Sequence, residues 1–269
     1  MESDDLPIGR ILSRREFLAL LGTAGAAMLA ACAPGQSGAG QPTSAATQAS
    51  SNTPAQSPTS APTQAATAAN TGTLPSCIVR PEVTEGPYYV DEDLNRSDIR
   101  SDPATGAVKD GALLALTFNV SQITNGGCTP LEGARVEIWH CDAAGVYSDV
   151  SDPGFNTVGQ KFLRGYQVTD ANGRATFTTI YPGWYSSRAV HIHFKMHHDT
   201  SGQSAVFTSQ LFFDDSLSDK VFAQAPYAGK GQRDMLNSTD RIYDDQLLLA
   251  VTEAEQGYAA MFDIGLQMD

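Results

Sequence analysis

Between Ala112 and Phe213 the chain breaks into short apolar runs, several with a period of two, separated by turn residues. Such a pattern favours strands over helices, because successive side chains on a strand alternate between two faces. Ala134-Arg135-Val136-Glu137-Ile138-Trp139-His140 shows the alternation best, with Ala134, Val136 and Ile138 on one face and Arg135, Glu137 and Trp139 on the other. Ala112 to Val120, Tyr166 to Thr169, Ala175 to Ile180, His191 to Met196 and Val206 to Phe213 supply further strands. Asn172-Gly173, between Thr169 and Ala175, is a strong hairpin signal. The tail from Asp244 to Ala260 is expected to hold a short strand and little else. The expected fold is all-β, with a β-sandwich core.

The N-terminal third is different. Ser13-Arg14-Arg15-Glu16-Phe17-Leu18 is a twin-arginine export signal, and Leu29-Ala30-Ala31-Cys32 is a lipoprotein cleavage box that makes Cys32 the lipidated first residue. The apolar run between them is shorter than the ~20 residues of a membrane span. From Ala33 to Ser76 the chain is mostly Ala, Ser, Thr, Gln, Pro and Gly without one charged residue. Such a segment cannot bury enough apolar surface to offset its ordering entropy, so a disordered tether is expected. The organisation is then signal (1–32), tether (33–76) and one folded domain (77–269), exported and held at a bacterial membrane by the Cys32 lipid.

The chain carries 17 Lys and Arg against 30 Asp and Glu, a net charge of −13. No Lys/Arg cluster marks the domain, which argues against a nucleic-acid partner. Besides Cys32 there are Cys77, Cys128 and Cys141. In an oxidising compartment one disulfide and one buried thiol are expected, with all three pairings open. None has a Cys-x-x-Cys spacing, so a zinc–thiolate site is not indicated.

The chemistry concentrates in two places. If His191 and His193 lie on a strand, both imidazoles point to one face. Tyr185 follows the turn Pro182-Gly183-Trp184, and Tyr147 follows Gly145-Val146 at a strand end. A phenol ionises only near pH 10 in water, but a strongly Lewis-acidic cation inverts that preference. Imidazole suits iron and tyrosinate is a known iron ligand. Two histidines with two tyrosines therefore read as a ferric iron set.

Four ordered segments carry a family resemblance: Thr84-Glu85-Gly86-Pro87-Tyr88-Tyr89, Gly133 to His140 running into Gly145-Val146-Tyr147, Asp170-Ala171-Asn172-Gly173 with Tyr181-Pro182-Gly183, and Arg188-Ala189-Val190-His191-Ile192-His193. From about Pro81 to Phe213 the chain resembles the catalytic core of the intradiol ring-cleavage dioxygenases. The resemblance implies a sandwich with its active site among loops at one edge, and Fe(3+) held by Tyr147, Tyr185, His191 and His193. It implies that Tyr185 is the ligand displaced by substrate, that Arg188 stabilises developing negative charge, and that Gln210 lies near the iron. Tyr88 and Tyr89 would line the substrate pocket. The implied reaction is ortho cleavage of a catechol with O2 to a cis,cis-muconate. Export and tethering depart from the cytoplasmic members and point to substrates met outside the cytoplasm. A long helical dimerisation segment is not evident, and the oligomeric state stays open.

Two rivals are distinct in class. His197 would share a face with His191 and His193 if that strand continued, giving a three-histidine zinc or copper hydrolase. The polar, Gly-containing run from Lys195 to Gly202 is expected to end the strand before His197. The other rival is an exported sandwich that binds a ligand without catalysis. Trp139 and Trp184 read as packing residues, and His140 and His198 have no assigned role.

Overall fold

The alternating runs do form strands. The structure, a computed structural model, describes residues 78–268 except 125–126 and 201–202. The export signal, the Cys32 box and the tether lie outside the described residues. Eleven strands follow one another among those described: β1 (Leu113–Thr124), β2 (Gly127–Pro130), β3 (Arg135–Trp139), β4 (Ser151–Asp152), β5 (Phe155–Asn156), β6 (Arg164–Val168), β7 (Arg174–Ile180), β8 (His191–Thr200), β9 (Gln203–Phe212), β10 (Ala250–Glu253) and β11 (Tyr258–Gln267). One helix, α1 (Asp215–Phe222), begins where the Asp214 carboxylate caps the Leu217 amide.

The first sheet runs β10-β11-β1, with β7 and β2 both pairing with β1, at its two ends. The second runs β6-β3-β8-β9, antiparallel throughout. Leu114, Leu116, Phe118 and Val120 of β1 and Ala260, Phe262, Ile264 and Leu266 of β11 face Val136 and Ile138 of β3 and Ile192, Phe194 and Met196 of β8 in one buried cluster. Phe194 bridges the sheets, 5.3 Å from Phe118 and 5.7 Å from Phe262 between ring centroids. The expected all-β sandwich is what forms.

The same alternation decides what lies outside. With Ile192, Phe194 and Met196 turned to the core, His191, His193, Lys195 and His197 face outward. Register then lines up Arg164, Trp139, His193 and Gln210 as one row across β6, β3, β8 and β9. That row is buried under the segments flanking the sheet, and it is the floor of the candidate site.

Several expectations need correction. Asp170 to Gly173 makes a tight turn, with the Asp170 amide donating to Arg174 O at 3.0 Å. It is not a hairpin between paired strands, because β6 belongs to the second sheet and β7 to the first. The local turn chemistry is as read, but the strands diverge to bury their apolar faces in different sheets. The C-terminal tail holds the ten-residue β11, parallel to β1 from Leu114↔Tyr258 to Ile123↔Gln267. Its Ala and Gly content weakens the local signal, and a parallel pairing this distant in sequence has none. Finally, β8 does not stop before His197 but continues to Thr200, where pairing with β9 outweighs the polar composition. Cys128 is disulfide-bonded, to a partner outside the described residues, and Cys141 is the buried free thiol, which burial pushes up to about 12.

Candidate active site

A strap of residues 81–89 runs along the edge of β9 and then crosses the outer face of the second sheet. Val83 donates its amide to Thr208 O at 3.1 Å, Ser209 Oγ donates to Pro81 O at 2.7 Å, and Gln210 Nε2 donates to Thr84 O at 2.7 Å. Lys195 Nζ meets Glu85 at 2.5 Å. Gly86 then lies against the His193 ring with φ +73°, where a Cβ would stand 3.0 Å from Cε1. Only glycine suits both the left-handed backbone and that contact. The strap ends on Tyr88, whose carbonyl accepts from Arg164 Nη2 at 2.7 Å.

Tyr147 and Tyr185 sit on separate loops, after β3 and after β7. Two glycines let the loops touch: a Cβ on Gly145 would come within 2.1 Å of Trp184 O, and one on Gly183 within 2.4 Å of Asp142 O. Lys230 clamps the pair, donating to Ala144 O and Trp184 O. Gly145→Ala is therefore expected to destabilise the protein by about 2 kcal/mol, from overpacking plus a φ of +80°. Denaturant unfolding would measure it, and a neutral result would show that the loops separate freely.

The four side chains do converge. Ring centroids are 5.6 Å apart for Tyr147 and Tyr185, 6.1 Å for Tyr147 and His193, 5.5 Å for Tyr185 and His191, and 4.5 Å for the two histidines. The imidazole Nε2 atoms are 2.9 Å apart. His191 Nδ1 lies 2.7 Å from Ala189 O, so it carries the proton and leaves Nε2 as a lone pair. Tyr147 Oη is buried without a hydrogen-bond partner, and so is His193 Nδ1. Trp139 stacks on His193 at 5.0 Å with 5° between planes, fixing the ring from behind.

Burial governs the electrostatics. It raises the Tyr147 phenol well above its ordinary range, and the Tyr185 phenol too, against the pull of Arg188. It lowers His191 to about 3, helped by Arg188, and drives His193 well below its usual value. Two neutral imidazoles and two neutral phenols thus meet in a desolvated space, with the two Nε2 atoms facing each other. This donor set fits a Lewis-acidic metal ion, since neutral imidazole is the ligand form and a cation can displace the phenol protons. These four are the residues that could hold one.

The other expected residues divide. Arg188 is beside the cluster, its Nη1 3.5 Å from Tyr185 Oη, and its Nη2 donates to Gln210 Oε1 at 2.6 Å. Tyr88 stacks on Tyr147 at 4.5 Å and donates its hydroxyl to Asp152 at 2.8 Å. Tyr89 does not reach the cluster. It packs on Trp139 at 4.9 Å and under the Lys195 ammonium at 3.6 Å, one ring removed from His193. His197 shares the outer face but lies four residues beyond His193, about 13 Å at 3.3 Å per residue, paired with Arg135. Sharing a face is not convergence, and the three-histidine arrangement fails on distance. His140 is buried between Thr179 and the Cys141 carbonyl, a packing role.

Sequence reading missed three contributors. Asp240 binds Arg188 Nε at 2.9 Å across 52 positions, with no local signal. Arg164 and Trp139 complete the floor, and only the strand register exposes their place. A surface cavity of about 320 Å³ lined by Asp214, Leu217, Lys220, Val251 and Tyr258 touches none of the four converging residues.

A family model described as "Dioxygenase" matches residues 84–268, which makes this chain an oxidoreductase of dioxygenase type. The beta chain of protocatechuate 3,4-dioxygenase from Burkholderia cepacia is 33% identical over 192 residues, 67% of this chain and 76% of the relative. An intradiol ring-cleavage dioxygenase from Tetranychus urticae superposes with a TM-score of 0.61 at 32% identity, covering 72% of this chain and 95% of that one. The dioxygenase domain of a dioxygenase–carbohydrate-binding protein fusion from the cellulolytic bacterium Streptomyces sp. SirexAA-E follows at 0.51 and 27%, covering 71% of this chain and 100% of that one. The chain belongs to the intradiol ring-cleavage dioxygenase family.

Proposed function

We propose that this protein opens a catechol-type ring between its two hydroxyl-bearing carbons, using Fe(3+) and O2 and giving a cis,cis-muconate. The observation that carries the reading is the convergence of Tyr147, Tyr185, His191 and His193, with the Nε2 atoms 2.9 Å apart and the Tyr147 hydroxyl buried and unpartnered. Those four side chains would hold the iron. Bound there, ferric ion supplies the Lewis acidity that ionises the phenols and prepares the catechol for O2.

The chain's own residues support a division of labour. Tyr147 is 0% exposed beneath Tyr88, whereas Tyr185 is half-buried on its loop. Tyr185 is thus the arm able to swing aside, and its freed Oη accepts a proton from the substrate hydroxyl. Arg188, 3.5 Å from that oxygen, places a fixed cation where negative charge develops on the ring oxygens. Tyr88 keeps water from the Tyr147 side. Gln210 spends both ends of its amide on Arg188 and the strap, so it orients rather than reacts. Tyr89 is too far back to touch a substrate on the cluster.

Export through the twin-arginine pathway and a lipid on Cys32 belong to the same reading, supported by the sequence alone. They put the substrate outside the cytoplasm, as plant-derived catechols would be. The likeness to a domain fused to a carbohydrate-binding protein points the same way.

A visible spectrum of the full chain, with metal analysis before and after anaerobic catechol, tests the proposal. The expected result is a broad phenolate-to-iron band, stoichiometric iron, and a shift on adding catechol. Tyr147→Phe and Tyr185→Phe should each weaken the band. Unchanged colour in both variants would remove the ligand assignment, and a colourless protein that takes up no iron would remove the function.

A further inference from the structure

Asp240 is the least expected neighbour of the cluster. It is 7% exposed and accepts three N–H groups: Arg188 Nε and the Ala189 amide on Oδ2, and the Ile242 amide on Oδ1, each at 2.9 Å. Its own backbone is held, with its amide donating to Leu236 O at 3.1 Å. Asn237, three residues earlier, donates Nδ2 to Phe213 O at 2.8 Å, just past the end of β9. The carboxylate is therefore a fixed point relative to the sheet that carries the histidines.

From that point two short paths lead into the site. One is the guanidinium. Asp240 grips Nε, Gln210 Oε1 takes Nη2 at 2.6 Å, and Nη1 is left toward Tyr185 Oη at 3.5 Å. Gln210 cannot flip to release it, because its Nε2 is committed to Thr84 O at 2.7 Å. The other path is the Ala189 backbone. Its N–H goes to Asp240, and its carbonyl, on the next peptide unit, accepts from His191 Nδ1 at 2.7 Å, so one carboxylate anchors the residue whose carbonyl sets the His191 tautomer. Burial works to raise the Asp240 carboxyl, but the Ile242 and Ala189 amides and the guanidinium hold it below its ordinary value. It therefore stays an acceptor at neutral pH.

We propose that Asp240 is the positioning residue of this site: it acts through Arg188, keeping Nη1 on Tyr185 Oη, and through the Ala189 backbone, keeping His191 Nε2 on His193. The inference rests on the functional reading above for the role of Arg188. It does not need Asp240 to touch substrate or metal.

The test uses the full chain with Asp240→Asn, Arg188→Met and the double variant. Asparagine keeps the shape but turns one charged acceptor into a neutral amide. In the metal-free protein, nitrogen-15 spectra should show a slowly exchanging Arg188 Nε–H in the parent that is lost in Asp240→Asn. In the iron-loaded protein kcat for catechol should fall about tenfold or more, part of the 10²–10³ that a directed charge-stabilising donor is worth, with KM changed less. Added to Arg188→Met, Asp240→Asn should cost clearly less in kcat than it does in the parent, because the guanidinium path is already gone and only the Ala189 path remains.

An unchanged kcat in Asp240→Asn, or a full additional loss in the double variant, would overturn the role, the latter by showing that Asp240 serves only the fold. A parent that holds iron yet cleaves no catechol would fail the functional reading instead. The metal-free spectra still judge Asp240 then, and a retained Nε–H in Asp240→Asn overturns the inference.

Discussion

With iron held as proposed, an Arg164→Met chain is expected to bind it at least tenfold more weakly and to unfold about 2 kcal/mol more easily. Arg164 is 2% exposed, and among the described residues no hydrogen bond of its guanidinium goes to a carboxylate. It donates instead to Ser148 Oγ at 2.9 Å, to Ser148 O at 2.7 Å and to Tyr88 O at 2.7 Å. Those carbonyls belong to the two segments that enclose Tyr147, one beside it in sequence and one stacked upon it. Methionine fills the space but leaves both acceptors dry, at about 1–3 kcal/mol each. Relief of the buried charge offsets part of that cost. The site suffers more than the fold, since changes to partners behind a metal ligand lower affinity by about 10–100-fold. Chelator competition and denaturant unfolding on one preparation would separate the two effects. Parent-like iron affinity with lowered stability would show that the Tyr147 loop holds its place without the cross-link.

Phe194→Ala is expected to cost about 3–5 kcal/mol, the usual range for truncating a buried phenylalanine. Few positions join so much. Its ring lies 5.3 Å from Phe118, 5.7 Å from Phe262 and 5.9 Å from Phe207, so it contacts both sheets at the centre of the core. It also follows His193 directly on β8, with its side chain opposite to the imidazole. A cavity there loosens the strand that aims both histidines. Denaturant unfolding should show the midpoint falling steeply, with Phe194→Leu losing much less because it refills most of the volume. A loss under about 1 kcal/mol would mean that the sheets collapse to close the gap.

The two histidines were legible before any fold was known, because a period of two places His191 and His193 on one face wherever a strand forms. The tyrosines were legible as candidates from their loop positions and donor chemistry, and as ligands from the family resemblance. Nothing local relates Tyr147 to Tyr185, and what joins them is the absence of a Cβ at Gly145 and Gly183. His197 shows where periodicity misleads. It repeats on the right face yet pairs with Arg135 well down the strand. Asn172-Gly173 shows the same limit for turns, since its chemistry sets a tight reversal but not whether the flanking strands pair.

What the amino-acid sequence determined by itself was therefore whatever covalent spacing controls: which runs alternate, which face each strand residue takes, and where the chain must turn. Tertiary structure alone decided the parallel union of β1 with β11, the row Arg164–Trp139–His193–Gln210, and the reach of Asp240 to Arg188. Those depend on which apolar faces bury against each other over long separations, and burial is non-directional. It becomes specific only when the sheets have closed on one core.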